Sequence, residues 1–299
     1  MMHPTTNEES HETLENEIAD LELRLQRAKE RLARSETSNS QNSLLSTPSA
    51  QSAHHYLLLL SDSALPLGSF AFSSGLESYL AHTRRSRPSS TAPSFSSFLP
   101  LSLSSYASTT LPFMLAAYRD PTPENVALLD DTLDAAIICT VGRRASVAQG
   151  RALLSIWEKS IAASVDPAAR LRPFAEMLRA SSGLGNKNAN ANEGPPLVSA
   201  HLAPLFGAVA ALCGLTLRQA SYVFMLSHVK ALVSAAVRAG QFGPYQAQRI
   251  LAGAQVQAYL QAAIDREWLT PVESAGQSVP VMDLWFGRHE LLYSRIFNS

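Results

Sequence analysis

Three carboxylates lie close together on one predicted helix, and such a group could perform acid/base chemistry. Asp130, Asp131 and Asp134 fall in the segment 123–158, which is predicted as one helix or as two helices joined at Gly142. Apolar residues recur there at spacings of three and four. Paired carboxylates act as general acid and general base when their environments differ. No histidine or basic partner lies near them in the sequence, and acids early in a helix also suit its dipole. The pattern therefore predicts a solvated helix face.

The histidines and cysteines predict no metal centre. The eight histidines are scattered, and the only adjacent pair, His54 and His55, lies at the end of a linker without further ligands. The two cysteines, Cys139 and Cys213, are far apart in the chain. This spacing excludes a CxxC metal pair and a disulfide framework, and it suits a reducing compartment. We expect neither a metal nor a cofactor.

Common catalytic motifs are absent from the sequence. It contains no HExxH, no Gly-x-Ser-x-Gly and no Walker A pattern. Gly183 and Gly185 form a Gly-x-Gly, but no strand pattern precedes it and no third glycine follows in register, so we reject a dinucleotide site. These observations predict a protein that is not an enzyme.

Composition and charge narrow the remaining classes. Apolar residues make up 46% of the 299 residues, charged residues make up 16%, and the formal net charge is −1. The chain therefore lacks the basic footprint of a nucleic-acid-binding protein. The polar N-terminus does not resemble a secretory signal, and the longest nearly apolar segment, Leu205–Leu217, is shorter than the ~20 residues that span a bilayer. We expect a cytoplasmic protein that binds neither nucleic acid nor membrane.

The helical periodicity, with almost no strand-like alternation, predicts an all-α fold. Residues 1–53 form a separate zone, in which a short coiled-coil-like helix precedes a flexible Ser-rich linker. Residues 54–299 are expected to form a single bundle-like helical domain. Within it we predict a helix that Thr216 caps and Gly240 ends, and another over residues 247–264. The former carries a polar stripe that includes Lys230 and Arg238, either as a solvated face or as a partner contact.

The stretch LLLLSDSALPLGSFAFSSGLESYL, residues 57–80, predicts a helix, a tight loop and a second, capped helix. Pro66 fixes one φ angle and Gly68 permits a positive φ, so the chain should bend there. Ser74 and Glu77 have the spacing of a capping box. The loop carries Phe70 and Phe72, which is more apolar surface than a solvated turn needs.

The C-terminal zone, 271–299, combines aromatic and charged residues. The apolar side chains Trp285, Phe286, Tyr293, Ile296 and Phe297 alternate with charged ones. Aromatic residues together with arginine are typical of interface hot spots. We therefore predict that this tail docks, either on its own core or on another chain.

Several of these segments resemble the urease accessory protein F (UreF) family, in the family's order. LLLLSDSALPLGSFAFSSGLE resembles its N-terminal signature, with Ser69 in place of a glycine and Phe72 in place of a tyrosine. GRALL, HLAPLFGAVAALCGL, VSAAVRAGQFGPYQAQRIL and PVMDLWFGRHELLYSRIFNS resemble later blocks. The matches are spread over most of residues 55–299, whereas residues 1–53 and the polar loop 181–196 fall outside them.

The resemblance implies an all-helical, homodimeric scaffold with no chemistry of its own. Such a scaffold joins the accessory protein UreD or UreH to the GTPase UreG, and the assembly delivers nickel to apo-urease. The candidate partner-binding residues come from the opening stretch, the polar stripe and the tail: Phe70, Phe72, Glu77, Lys230, Arg288, His289, Tyr293, Arg295 and Phe297.

A second function class stays open. A helical GTPase-activating protein could act on its partner GTPase through an inserted arginine. Arg143, Arg144, Arg238 and Arg288 are the candidates, and the sequence does not choose among them. A third class, a helical metal-dependent enzyme, would need a carboxylate and histidine cluster that the sequence does not reveal.

Overall fold

A computed structural model describes residues 50–86, 94–165, 169–183 and 198–298, and the regular elements in these ranges are all helical. The prediction of an all-α fold is thereby confirmed. The α-helices are α1 (Ala50–Ser61), α2 (Leu76–Ser86), α3 (Phe95–Arg119), α4 (Pro123–Ala136), α5 (Thr140–Ile156), α6 (Ala162–Val165), α7 (Arg172–Gly183), α8 (Leu202–Leu212), α9 (Leu217–Arg238), α10 (Pro244–Ala252), α11 (Ala254–Glu267) and α12 (Val281–Arg288). The π-turn Trp157–Ile161 joins α5 to α6, and 3-10 turns lie at Ser69–Ala71, Val272–Ser274 and His289–Leu291. The predicted N-terminal coiled-coil-like helix and most of the 181–196 loop lie outside the described residues.

The core is built around α3, which packs on α8, α9 and α11. Small residues on α8 let the two backbones approach closely. A Cβ added at Gly207 would lie 2.2 Å from the carbonyl oxygen of Met114 on α3. Any side chain there would push the helices apart, which explains why the Ala- and Gly-rich block of α8 lies at the centre of the fold.

Helix α9 matches its predicted ends. Thr216 and Gln219 form a capping box at its start, and Gly240 follows its end with a φ of 69°. The helix is long and apolar enough to cross a membrane, but most of it is buried inside the protein. It is therefore a core helix of this fold. Its stripe residue Lys230 donates from Nζ to the carbonyl oxygen of Ser61, 2.5 Å away, and so completes the C-terminal end of α1.

Two predicted helical segments are each divided into two helices. The segment 123–158 breaks after Ala136, with Ile137 and Cys139 in extended conformations, and the alternative break at Gly142 is wrong because Gly142 lies inside α5. β-Branched residues at 137 and 138 favour extended backbone. The segment 247–264 breaks at Gly253, whose ψ of 140° ends α10 and begins α11.

The opening loop has the predicted helix–turn–helix form with a different cap. Gly68 adopts a φ of 73°, as expected. The predicted capping box of Ser74 is wrong, because Ser74 itself has a φ of 51° and helix α2 begins at Leu76. Instead the hydroxyl of Ser73 accepts the backbone N–H of Glu77 at 3.3 Å. The Glu77 carboxylate is thereby left free for another contact.

The carboxylates of α4 are not a solvated face, so that prediction is wrong for two of the three. Asp130 is fully buried and accepts the backbone N–H groups of Ser199, Ala200 and His201 at 2.6, 3.1 and 2.5 Å. Asp131 alone is exposed. The turn that Asp130 holds is strained, since Ala200 has a φ of 69°.

Asp134 belongs to the same polar cluster. Its carboxylate accepts from Arg143 Nε at 2.6 Å and from His201 Nε2 at 2.8 Å, and His201 Nδ1 lies 3.0 Å from the hydroxyl of Ser146. Burial raises the pKa of Asp134, but the hydrogen bonds and charges of Arg143 and His201 outweigh it and hold that pKa below its ordinary value. The acids therefore brace the packing of α4, α5 and α8.

Candidate partner-binding surface

The C-terminal strap, residues 289–298, lies on the protein's own surface. It follows α12, which packs against α2 and α5. The backbone N–H of Asn298 donates to the carbonyl oxygen of Ala71 at 2.8 Å. Ala71 ends the 3-10 turn Ser69–Ala71, which lies between α1 and α2 and is called the opening turn below. The first and the last of the segments that resemble the family are therefore in contact.

The Glu77 carboxylate anchors the strap through three hydrogen bonds. Its Oε2 accepts from His289 Nε2 at 3.0 Å and from the backbone N–H of Phe297 at 3.2 Å, and its Oε1 accepts from the N–H of Ile296 at 2.7 Å. The His289 side chain is fully buried and that of Glu77 nearly so. A buried carboxylate needs such partners, because an unpaired buried charge is strongly destabilising.

Arg238 fastens the far end of the strap. Its guanidinium carbon lies 4.3 Å from the centre of the Phe297 ring, and its Nη2 donates to the carbonyl oxygen of Phe70. The Phe297 ring is buried beneath this cation. The polar stripe of α9 therefore includes a side chain that joins the strap to the opening turn.

A third contact, between Glu290 and two arginines, lies on the solvent-exposed side of the strap. Glu290 accepts from Arg144 Nη2 and from Arg295 Nη1, each at 2.7 Å, and these hydrogen bonds hold the pKa of Glu290 below its ordinary value. Arg144 Nη2 also donates to the carbonyl oxygen of Asn298 at 3.3 Å. Because these groups are exposed, this contact is weaker than the buried one.

The fastened strap displays apolar side chains to solvent. Leu291, Tyr293 and Ile296 are 74%, 107% and 61% exposed, and Phe70 on the adjoining turn is 66% exposed. Single exposed apolar residues are ordinary, but four of them on an ordered segment and its anchor are not. A segment held this firmly while its apolar residues face water is typical of a surface for another protein.

The structure brings most of the predicted partner-binding residues together here. Phe70, Tyr293 and Arg295 are exposed. The other four, Phe72, Glu77, His289 and Phe297, are buried and contact the chain itself. That they contact a partner stays a prediction, and for the buried ones the effect would be indirect.

Two predicted residues take no part in the strap contacts described above. Lys230 contacts the end of α1, as described above. Arg288 is exposed, with its guanidinium carbon 5.6 Å from the centre of the Trp285 ring. The candidate partner-binding residues omit Leu291 and Ile296, although Ile296 is among the apolar residues that mark the tail as a docking segment. Large apolar residues between charged ones were a usable signal for both.

Comparison with known proteins agrees with the motifs. A family model described as UreF matches residues 90–255. A urease accessory protein UreF-like protein of Schizosaccharomyces pombe is 36% identical over 253 residues, which cover 84% of this chain and 99% of that protein. Urease accessory protein F of Arabidopsis thaliana is 32% identical over 245 residues, covering 80% and 90% of the two chains. Urease accessory protein UreF of Paenarthrobacter aurescens is 31% identical over 243 residues, covering 80% and 95%.

These relatives match nearly their whole length, and the family model ends at residue 255, before α12 and the strap. The aligned region includes α3, α8 and α9, the helices that form the core and carry Arg238. The similarity therefore extends to the scaffold that positions the strap. On this evidence the chain belongs to the UreF family of urease accessory proteins.

Proposed function

We propose that this protein is a urease accessory scaffold that bridges a UreD/UreH-type protein and the GTPase UreG, in a complex that delivers nickel to apo-urease. Membership of the UreF family supports the accessory role. The role of a scaffold also suits a chain whose most unusual surface is an ordered, apolar strap. The protein would act as a cytoplasmic homodimer, without a cofactor, and would bind neither nucleic acid nor membrane.

The observation that carries the proposal is the contrast within the strap. Its backbone and buried side chains are held by Glu77 and Arg238, while Leu291, Tyr293 and Ile296 point away from the chain. Fully burying side chains of this size contributes roughly 1.5–3 kcal/mol each. A partner that covers all three would therefore gain a large share of its binding free energy from them. We assign this surface to the UreD/UreH-type partner.

The test replaces the three exposed side chains together, as Leu291→Ser, Tyr293→Ser and Ile296→Ser. A matched control carries Leu128→Ser, Tyr245→Ser and Leu269→Ser, since these residues are also exposed but lie on other elements. Both variants should melt like the wild type, because exposed side chains contribute little to folding. We expect only the strap variant to lose co-elution with the UreD/UreH-type protein of the same organism in size-exclusion chromatography.

UreG recruitment forms the second half of the test. UreG should join the complex with the wild-type and control proteins, and it should fail to reach the UreD/UreH-type protein when the strap variant is used. Unchanged co-elution of the strap variant would refute the assignment of this surface. Light scattering of the purified protein measures the dimer, and a monomer at micromolar concentration would contradict the homodimer.

The alternative function, activation of the partner GTPase by an inserted arginine, has one favoured residue. Arg143, Arg144 and Arg238 are engaged with Asp134, Glu290 and the carbonyl of Phe70, respectively. Arg288 is exposed and rests only against Trp285 among the ion-pair and ring contacts of the described residues. Single-turnover GTP hydrolysis by UreG, measured with the wild-type protein and with Arg288→Ala, distinguishes the scaffold function from the GTPase-activating function. A rate that depends on Arg288 would favour the activator.

A further inference from the structure

A cavity of about 450 Å³ lies beneath α12, walled by α3, α5, α8, α9 and the opening turn. Protein interiors seldom contain voids much larger than a water molecule, whereas pockets for small molecules measure roughly 300–1,000 Å³. Ile138 lines the cavity and is 85% exposed, so the cavity opens to solvent beside the α4–α5 break. Its size and opening fit a small-molecule site.

One wall is a neutral aromatic stack. The rings of Tyr106 and His228 lie parallel, with centroids 3.9 Å apart and planes within 4°, and Phe224 stacks on Tyr106 at 5.2 Å. Burial lowers the pKa of His228 to about 3, so this ring is uncharged at neutral pH, and its Nε2 bonds the hydroxyl of Ser102 at 3.0 Å. The stack therefore offers ring edges, or the outer face of its last ring, to an aromatic guest.

Hydroxyl groups in the wall are already engaged. Thr109 Oγ1 donates to the carbonyl of Ser105 at 2.7 Å, and Thr110 Oγ1 donates to that of Tyr106 at 2.5 Å. Their donors are thus used within α3. This leaves the cavity mainly apolar, with few groups to orient a ligand.

Asp283, in the first turn of α12, is the only Asp, Glu, Lys or Arg among the described lining residues. Its Oδ1 accepts from Gln277 Nε2 at 3.1 Å, a neutral donor that leaves the negative charge uncompensated. No Lys or Arg pairs with Asp283 among the ion pairs of the described ranges. A carboxylate at the edge of an apolar cavity favours a cation and disfavours an anion.

We propose that this cavity is a binding site for a small aromatic amine. The aromatic ring of the guest packs in the cavity against the stack of Tyr106 and His228, and its ammonium group donates to the Asp283 carboxylate. Because α12 leads directly into the strap, the bound molecule lies under the element that positions the partner-binding surface. The inference concerns a ligand of this chain and is independent of the proposed scaffold function.

The experiment is isothermal titration calorimetry of the full-length protein with tryptamine, at pH 7. Indole-3-propionate is the matched probe, since it has the same ring system and the opposite charge. We expect tryptamine to bind with one site per chain and indole-3-propionate to bind at least tenfold more weakly, because a charge-assisted hydrogen bond is replaced by repulsion.

Three variants locate the binding. Asp283→Asn keeps the shape of the side chain and removes its charge, so tryptamine should bind about tenfold more weakly. Ala231→Phe adds a ring to the α9 wall and should abolish binding. Ala258→Phe places the same ring on an exposed position of α11 and should leave binding unchanged.

Each contrary result overturns the proposal. Absence of tryptamine binding to the wild type refutes the site, and equal binding of the two probes refutes the role of Asp283. Undiminished binding to a folded Ala231→Phe variant places the ligand elsewhere. If Ala231→Phe fails to fold, the charge pair of probes and Asp283→Asn still decide the question, because neither alters the core.

Discussion

Two buried carboxylates in this protein have the same structural role, but the segments that they hold differ in their exposure to solvent. Asp130 accepts three backbone N–H groups from the turn 199–201, and Glu77 accepts two backbone N–H groups and a histidine N–H from the strap. In both places one acidic side chain holds a segment that has no regular hydrogen bonding of its own. The two sites differ in whether the side chains of the held segment are buried or face water.

The segment that Asp130 holds is largely buried. Ala200 and His201 are fully buried, and a Cβ added at Gly150 would lie 2.1 Å from the carbonyl oxygen of Ala200. The segment that Glu77 holds presents Leu291, Tyr293 and Ile296 to water. The comparison teaches that a buried carboxylate alone does not distinguish structural support from function. The exposure of the residues that it positions does.

Loss of the Asp130 carboxylate should have the largest effect on stability. Asp130→Ala leaves three buried N–H groups unsatisfied and releases the strained turn, so we expect the free energy of unfolding to fall by roughly 3–5 kcal/mol. Urea unfolding followed by circular dichroism measures this. A loss below about 1 kcal/mol would contradict the role given to Asp130, since it would match an ordinary surface change.

Glu77→Ala should cost less stability and more binding. The Glu77 carboxylate bonds the strap and not the core helices α3, α8, α9 and α11, so we expect a loss of about 1–3 kcal/mol, with the helical signal retained. Co-elution with the UreD/UreH-type partner should disappear, because the displayed side chains lose their fixed positions. Asp130→Asn is the matched control, since it perturbs the other buried carboxylate and leaves the strap in place. Retained co-elution of Glu77→Ala would refute the link between clamp and partner.

The sequence predicted the helices of this fold far better than these two carboxylates. Thr216 and Gly240 were found because caps act within a few residues. Asp130 was assigned to solvent because its three partners lie about seventy positions away, and no local pattern reports a contact at that distance. Glu77 was singled out for its capping spacing and its family resemblance, but its actual partners lie more than two hundred positions away. The fold class can be predicted from local periodicity, whereas the candidate site depends on contacts between residues that are far apart in the sequence.

Acidification should weaken the contacts that Asp134 makes. The pKa of Asp134 is lower in the folded chain than its ordinary value, so the unfolded chain takes up this proton more readily. The stability that this group contributes is therefore present above its ordinary pKa of ~4 and is lost as pH falls through the lowered folded value. Comparison of urea unfolding at pH 7 and at about pH 3 should show a smaller decline for Asp134→Asn than for the wild type. Equal declines would show that Arg143 and His201 do not stabilise the ionised form.

Arg144→Ala should have the smallest effect, and it would sharpen the comparison at the strap. Arg144 donates to Glu290 and to the carbonyl of Asn298, but the ion pair is solvent-exposed and screened by salt. We expect unfolding in urea to be unchanged, while amide hydrogen exchange of the strap becomes faster at low salt. At high salt the wild type and the variant should exchange alike, since screening removes the same contact that the substitution removes. The Glu77 clamp is buried and should not respond to salt, so Glu77→Ala should accelerate strap exchange at both salt concentrations. If Arg144→Ala accelerated exchange as much as Glu77→Ala at high salt, the exposed edge and not the buried carboxylate would be the main fastener of the strap.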